Sequence, residues 1–138
     1  MNRKKILIVD DDAIILRTLT TKLSAHGYEI LTASDGSASV SIARQAKPDL
    51  IVLDINLPVD LSMDWDAFKI MEWLKRMEGS AKIPVIIISG GDAKKASQLS
   101  QAAGALAFFH KPINHDELIA LLRKTLGEQS VRPVVVGV

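Results

Sequence analysis

The sequence predicts an α/β fold of the (βα)5 kind, a doubly wound five-stranded parallel sheet covered by helices on both faces in three layers. Short aliphatic runs recur at Ile6–Val9, Tyr28–Thr32, Leu50–Leu53, Val85–Ile88 and Ala105–Phe109. Continuous apolar runs of this length suit strands buried on both faces of a parallel sheet. Segments with helical spacing separate the runs, and right-handed crossovers between parallel strands then place helices on both sides. A further regularity is polar: runs end at Asp10-Asp11-Asp12, Asp54, Ser89 and Lys111.

Each helix has its own signal. Ile15, Leu19 and Leu23 form one stripe, Phe68, Met71, Leu74 and Met77 a second, and Leu118, Leu121 and Leu122 a third. The Ala/Ser-rich stretches Gly36–Ala46 and Asp92–Ala103 are helical mainly by propensity. Gly27, Pro48, Gly79, Pro84 and Gly104 fall between a helix and the next strand, as helix stops should. Asn114 with Glu117 three residues on reads as an N-cap box for the last helix. The expected domain is residues 1–127, and the tail 128–138 is expected to be flexible or to pair with a partner.

Composition removes several classes. At 138 residues the chain makes one domain with room for a layered core, and 48% hydrophobic with 24% charged residues is ordinary for a soluble protein. A net charge of +1 argues against a general nucleic-acid surface, and Arg3-Lys4-Lys5 reads as a solvated flank of the first strand. There is no cysteine, hence no disulfide or thiolate metal site. No apolar run approaches the ~20 residues of a membrane span, and the N-terminus lacks a signal-peptide pattern. A cytoplasmic location is expected.

Taken singly, an Asp after a strand is a turn residue, a Lys-Pro pair is a loop, and Ser-Gly-Gly is a turn. Gathered at the C-terminal ends of parallel strands, they make a pocket. Asp10, Asp11 and Asp54 contribute −3 and Lys111 +1, and like carboxylates this close raise one another's pKa. A divalent cation relieves that repulsion, and an all-oxygen ligand set favours Mg²⁺, with Mn²⁺ or Ca²⁺ able to substitute. Asp54 is then a candidate nucleophile toward phosphorus, with Lys111 neutralising the equatorial oxygens and Ser89 donating its hydroxyl to one of them.

"ILIVDDD", "DLIVLDINLP", "IPVIIIS", "AAGALAFFHKP" and a closing amphipathic helix occur in this order over about Lys4 to Leu126. In this the chain resembles the receiver domain of bacterial two-component response regulators, which implies a flavodoxin-like fold and a signalling domain rather than a metabolic enzyme. The resemblance implies Asp54 as phospho-acceptor, Asp10 and Asp11 as the acidic pair, and Asn56 offering its backbone carbonyl to Mg²⁺. Asp11 would ligate directly and Asp10 through water, while Asp12 would be the least suited of the three. Ser89 would be the switch hydroxyl, Phe108 the switch aromatic without the hydroxyl of the commoner tyrosine, and Lys111–Pro112 a cis bond. The implied partners are a sensor histidine kinase or histidine phosphotransfer protein and a downstream protein, with the domain a monomer or weak homodimer. Nucleic acid and membrane are not among the expected partners.

The pattern departs from the family in two places. "PVDLSMDWDAF" carries about five extra residues, including Asp60, Asp64, Trp65 and Asp66, with Ala67 where glycine is usual. This is a tolerated surface insertion or an acidic selector of the phosphodonor. Gly90 and Gly91 replace a bulkier residue after Ser89. His26, His110 and His115 sit on no long helix suited to histidine phosphotransfer and read as structural. Two other functions fit less well. A haloacid-dehalogenase-type aspartate phosphatase needs Asp-x-Asp on the first strand and a longer chain, and phosphomonoester turnover would identify it. A nucleotide or flavin binder lacks its glycine-rich loop. A receiver cut from a longer regulator with an output domain is the remaining alternative.

Overall fold

The computed structural model describes residues 3–55, 67–77 and 82–127. Five strands, β1 (Lys5–Val9), β2 (Glu29–Ala33), β3 (Leu50–Asp54), β4 (Val85–Ser89) and β5 (Ala107–His110), alternate with α1 (Ala13–Ala25), α2 (Gly36–Ala46), α3 (Ala67–Arg76), α4 (Ala93–Ala102) and α5 (His115–Leu126). The sheet is parallel throughout, in the order β2-β1-β3-β4-β5. The doubly wound fold expected from the sequence is therefore the fold observed.

Strand alternation divides the core in two. Leu7, Val9, Ile51, Leu53, Val85 and Ile87 face one side with Ala43, Ile70, Met71 and Leu74 of α2 and α3. Ile6, Ile8, Leu50, Val52, Ile86 and Ile88 face the other with Leu19 and Leu23 of α1 and Leu118, Ile119 and Leu122 of α5. β1, β3 and β4 are buried almost end to end because each has two neighbouring strands and a helix layer on each face. β2 and β5 are only half-buried, since each is an edge strand with one neighbour. Their apolar runs had suggested the same two-sided burial, and periodicity carries no information about edge position.

Boundaries shift by a residue or two. β2 starts at Glu29, because Tyr28 instead fills the core beneath α5 and its hydroxyl donates to the Gly127 carbonyl at 3.3 Å. β5 starts at Ala107, two residues later than its apolar run, with Leu106 exposed. Met77 lies just past α3 but still packs on the core. On α5, Ile119 is buried and Leu121 only partly so, which rotates the inward face slightly from the Leu118-Leu121-Leu122 stripe. The tail 128–138 lies outside the described residues, which end at Gly127, the C-cap of α5.

Helix starts are set by side-chain oxygens. Asp12 accepts from the Ile14 and Ile15 amides, Asp35 from Ala38, Asp92 from Lys94 and Lys95, and Asn114 from Glu117. Each satisfies amides that a helix N-terminus leaves without intrahelical partners. α2 ends at Lys47, which adopts the left-handed conformation with φ 48°. α3 and α4 are tied together by the Lys75 ammonium, which donates to the Ala103 carbonyl at 2.8 Å. Among the described residues, no helix is long and apolar enough to cross a membrane.

Leu118 is fully buried between α5 and the sheet, whereas Leu99 on α4 is 42% exposed. Leu118→Ala is therefore expected to cost about 2–5 kcal/mol in urea unfolding. Leu99→Ala should stay within about 0.5 kcal/mol. Equal losses at the two positions would contradict the packing described.

Candidate functional site

Strand order reverses between β1 and β3, the neighbours at the centre of the 2-1-3-4-5 sheet. A crevice opens there at the carboxyl ends of the strands, and these two strands deliver Asp10 and Asp54. The main chain is pinned at each position. The Asp10 amide donates to the Ala33 carbonyl at 3.1 Å, that of Ile55 to Ile88 at 2.9 Å, and that of Lys111 to Ser89 at 2.8 Å. The ladder thus continues one residue past the strands and holds the site on the sheet rather than on loops.

Asp10 is fully buried and Asp54 is 1% exposed, while Asp11 is exposed. Each of the three offers a carboxylate oxygen, and these oxygens lie within 4.8 Å of one another. The Lys111 side chain is 22% exposed, and its ammonium reaches Oδ2 of Asp10 and Oδ2 of Asp54, each at 3.1 Å. Its contact with Asp54 is also a hydrogen bond. Its contact with Asp10 has the distance of an ion pair without the direction of a hydrogen bond, leaving Asp10 Oδ2 buried with no hydrogen-bond donor. Asp10 Oδ1 accepts from the Asp12 amide at 2.9 Å.

Burial pushes the Asp10 carboxyl above the ordinary carboxylate range; the Asp54 charge adds to this, while the Asp12 amide and Lys111 oppose it without prevailing. Burial by itself would lower the Lys111 pKa, but the two carboxylates outweigh it and hold the ammonium above its usual value. A cation trapped between two buried anions stays charged, whereas an acid in excess of the available cations protonates more readily. Three carboxylates, one ammonium and an undonated buried oxygen fit a hard divalent cation with oxygen ligands.

Ser89, at the end of β4, is 1% exposed, and its Oγ accepts from the Gly91 amide at 3.1 Å. Phe108, half-buried on β5, packs against the cluster on the α2–α3 side. The Lys111–Pro112 bond is cis. Asn56 and the acids of the inserted stretch, Asp60, Asp64 and Asp66, lie outside the described residues. Asp10, Asp11, Asp54 and Lys111 are thus brought together, with Ser89 on the adjoining strand.

Two features were not read from the sequence. Asp12 caps α1 and its amide orients Asp10, so the third acid of the run has a positioning role; a strand-end Asp just before a helical stripe was the available signal. The imidazole of His110 lies with Nε2 2.9 Å from the Gly91 carbonyl, a pairing between strand end and loop that no local pattern announces. His26 pairs with the Arg123 guanidinium at 3.1 Å and His115 opens α5, both structural positions.

The family model for the response regulator receiver domain matches residues 6–123. Protein PilH of Pseudomonas aeruginosa is 31% identical over 123 residues, an alignment covering 89% of this chain and 98% of PilH. The probable transcriptional regulator ycf27 of Cyanophora paradoxa is 35% identical over 128 residues, covering 91% of this chain but only 49% of ycf27, so the chain spans about half the length of that relative. The solved structure of the chemotaxis protein CheY4 of Vibrio cholerae superposes with a TM-score of 0.79 at 27% identity, covering 90% of this chain and 99% of CheY4. With the parallel 2-1-3-4-5 sheet and the acidic pocket at its switch point, these similarities lead to one conclusion: the chain belongs to the response regulator receiver domain family.

Proposed function

We propose that this chain is a stand-alone receiver that takes a phosphoryl group on Asp54 in a Mg²⁺-dependent reaction, from a sensor histidine kinase or a histidine phosphotransfer protein, and thereby switches a protein-binding surface. The observation that carries this reading is the Lys111 ammonium 3.1 Å from both Asp10 and Asp54, inside a cluster of three carboxylates. PilH, matched over 98% of its own length, is a relative that consists of little more than the matched region. The half-length match to ycf27 supports the second reading, a receiver portion of a longer regulator.

Asp10, Asp11 and Asp54 would hold the cation, joined by the Asn56 carbonyl, and the bound cation would supply positive charge against the phosphoryl oxygens. The chain's own residues do the rest. An oxygen of ionised Asp54 attacks phosphorus, forming an acyl-phosphate O–P bond while the bond to the donor's nitrogen or oxygen breaks, and the donor leaves with that electron pair. Lys111 donates a hydrogen bond to Asp54 beforehand and then shares its charge with the transferred oxygens. Ser89 donates its hydroxyl to one of them, and the repacking that follows is passed to Phe108. The domain's catalysis is confined to its own phosphorylation and dephosphorylation.

Incubation with acetyl phosphate and Mg²⁺, followed by intact-mass measurement, should add one phosphoryl group to the wild type and none to Asp54→Ala. A wild type that gains nothing, or a variant that still gains one, would refute the role of Asp54. Without Mg²⁺ the wild type should gain little.

Lys111→Met removes the cation between two buried carboxylates and is expected to cost the metal-free protein roughly 2–4 kcal/mol at pH 7. The pH dependence has a definite sign. The Lys111 pKa is raised in the folded state, so its stabilisation is complete below the unfolded value of 10.5 and is lost as pH rises through the higher folded value. The Asp10 pKa is also raised, so folding takes up a proton between 3.8 and the folded value, and stability falls as pH rises through that window. The cost of Lys111→Met should accordingly shrink in acid, and Mg²⁺ should recover part of it at pH 7. Urea unfolding at both pH values, with and without Mg²⁺, measures this, and a cost independent of pH would contradict it.

A further inference from the structure

Ser89 and His110 are register partners across β4 and β5, and the last residues of both strands. From there β5 holds the segment between β4 and α4 at two points. The Lys111 amide donates to the Ser89 carbonyl at 2.8 Å, and His110 Nε2 sits 2.9 Å from the Gly91 carbonyl. A carbonyl only accepts, so the imidazole must carry its proton on Nε2. The Gly91 amide in turn donates to Ser89 Oγ at 3.1 Å. Gly90 lies over the Lys111 stem, where an added Cβ would meet Cδ at 3.6 Å.

Two successive glycines make the loosest backbone a loop can have, since neither restricts φ and ψ. The segment bears no side chain of its own to fix it between Ser89 and Asp92, the cap of α4. His110 supplies what the glycines lack. We infer that His110 is a positioning residue for Ser89: by holding the Gly91 carbonyl it fixes the Gly91 amide, which holds the Ser89 oxygen. The Gly91 amide thereby sets the position of the Ser89 oxygen, whose hydroxyl the proposed function directs at a phosphoryl oxygen on Asp54. Donors fixed in advance stabilise the charge on such an oxygen without the cost of ordering them at the moment of need.

This inference rests on Asp54 as the phosphoryl site, and the experiment separates the two. Binding of beryllofluoride, a phosphoryl mimic, is measured with Mg²⁺ present, alongside Mg²⁺ binding alone. His110→Ala should weaken beryllofluoride about fivefold, the worth of one neutral hydrogen bond, with the Mg²⁺ affinity held near the wild-type value because the three carboxylates are untouched. His110→Gln, which keeps an N–H donor, should recover most of the loss. In a Ser89→Ala background His110→Ala should have no further effect, because the residue it acts through is gone. Wild-type affinity in His110→Ala, or a full additional loss in the double variant, would overturn the inference while leaving Asp54 in place. Amide hydrogen exchange gives a reading that needs no phosphoryl group: in the resting protein the Gly91 amide should exchange about fivefold faster in His110→Ala and at the wild-type rate in His110→Gln. An unchanged rate in His110→Ala overturns the inference even if the wild type binds no beryllofluoride.

Discussion

The whole arrangement depends on putting negative charge where the core would exclude it. Asp10 and Asp54 are as buried as the valines and leucines preceding them, yet both stand within 3.1 Å of a single ammonium. Desolvating a carboxylate costs several kcal/mol unless it is compensated, and here two share one ammonium, which leaves part of the cost at Asp10 unmet. That deficit is visible as the raised Asp10 pKa and as the buried Asp10 oxygen with no hydrogen-bond donor. A pocket with unmet charge is disposed to take up a cation and, with it, an anionic group.

The sheet makes that disposition possible. β1 and β3 are two of its three inner strands, and their ladder bonds extend to Asp10 and to Ile55, next to Asp54. Helix caps surround the same end: Asp12, Asp35, Asp92 and Asn114 each turn their oxygen to a helix amide. Acids at this end therefore fall into two groups, those consumed by capping and those left facing the crevice. Asp12 illustrates the boundary, since it caps α1 while its own amide steadies Asp10.

Much of this was legible in the chain because it is written in local terms. Apolar runs separated by helical stripes define the strand and helix order, and a polar residue closing each run marks the end at which chemistry gathers. Asp10, Asp11, Asp54 and Lys111 could be grouped for that reason alone. Edge burial of β2 and β5 could not, because it depends on which strands lack a second neighbour. The contact of His110 with Gly91 was equally out of reach: it joins residues 19 apart through a side chain whose direction only the folded sheet decides. Tyr28 was misplaced into β2 because its aromatic ring suits a strand as well as the space under α5 that it fills.

The backbone bonds that pin Asp10, Ile55 and Lys111 carry one more implication, about where the molecule opens. Protection against local opening follows burial and ladder bonding, so β3, the middle strand, should be among the last segments to breathe. The segment after β4, built on two exposed glycines, belongs to the opposite end of that scale. Asp54 and the glycine pair after Ser89 are thus separated by a single strand spacing, yet belong to different tiers of local stability.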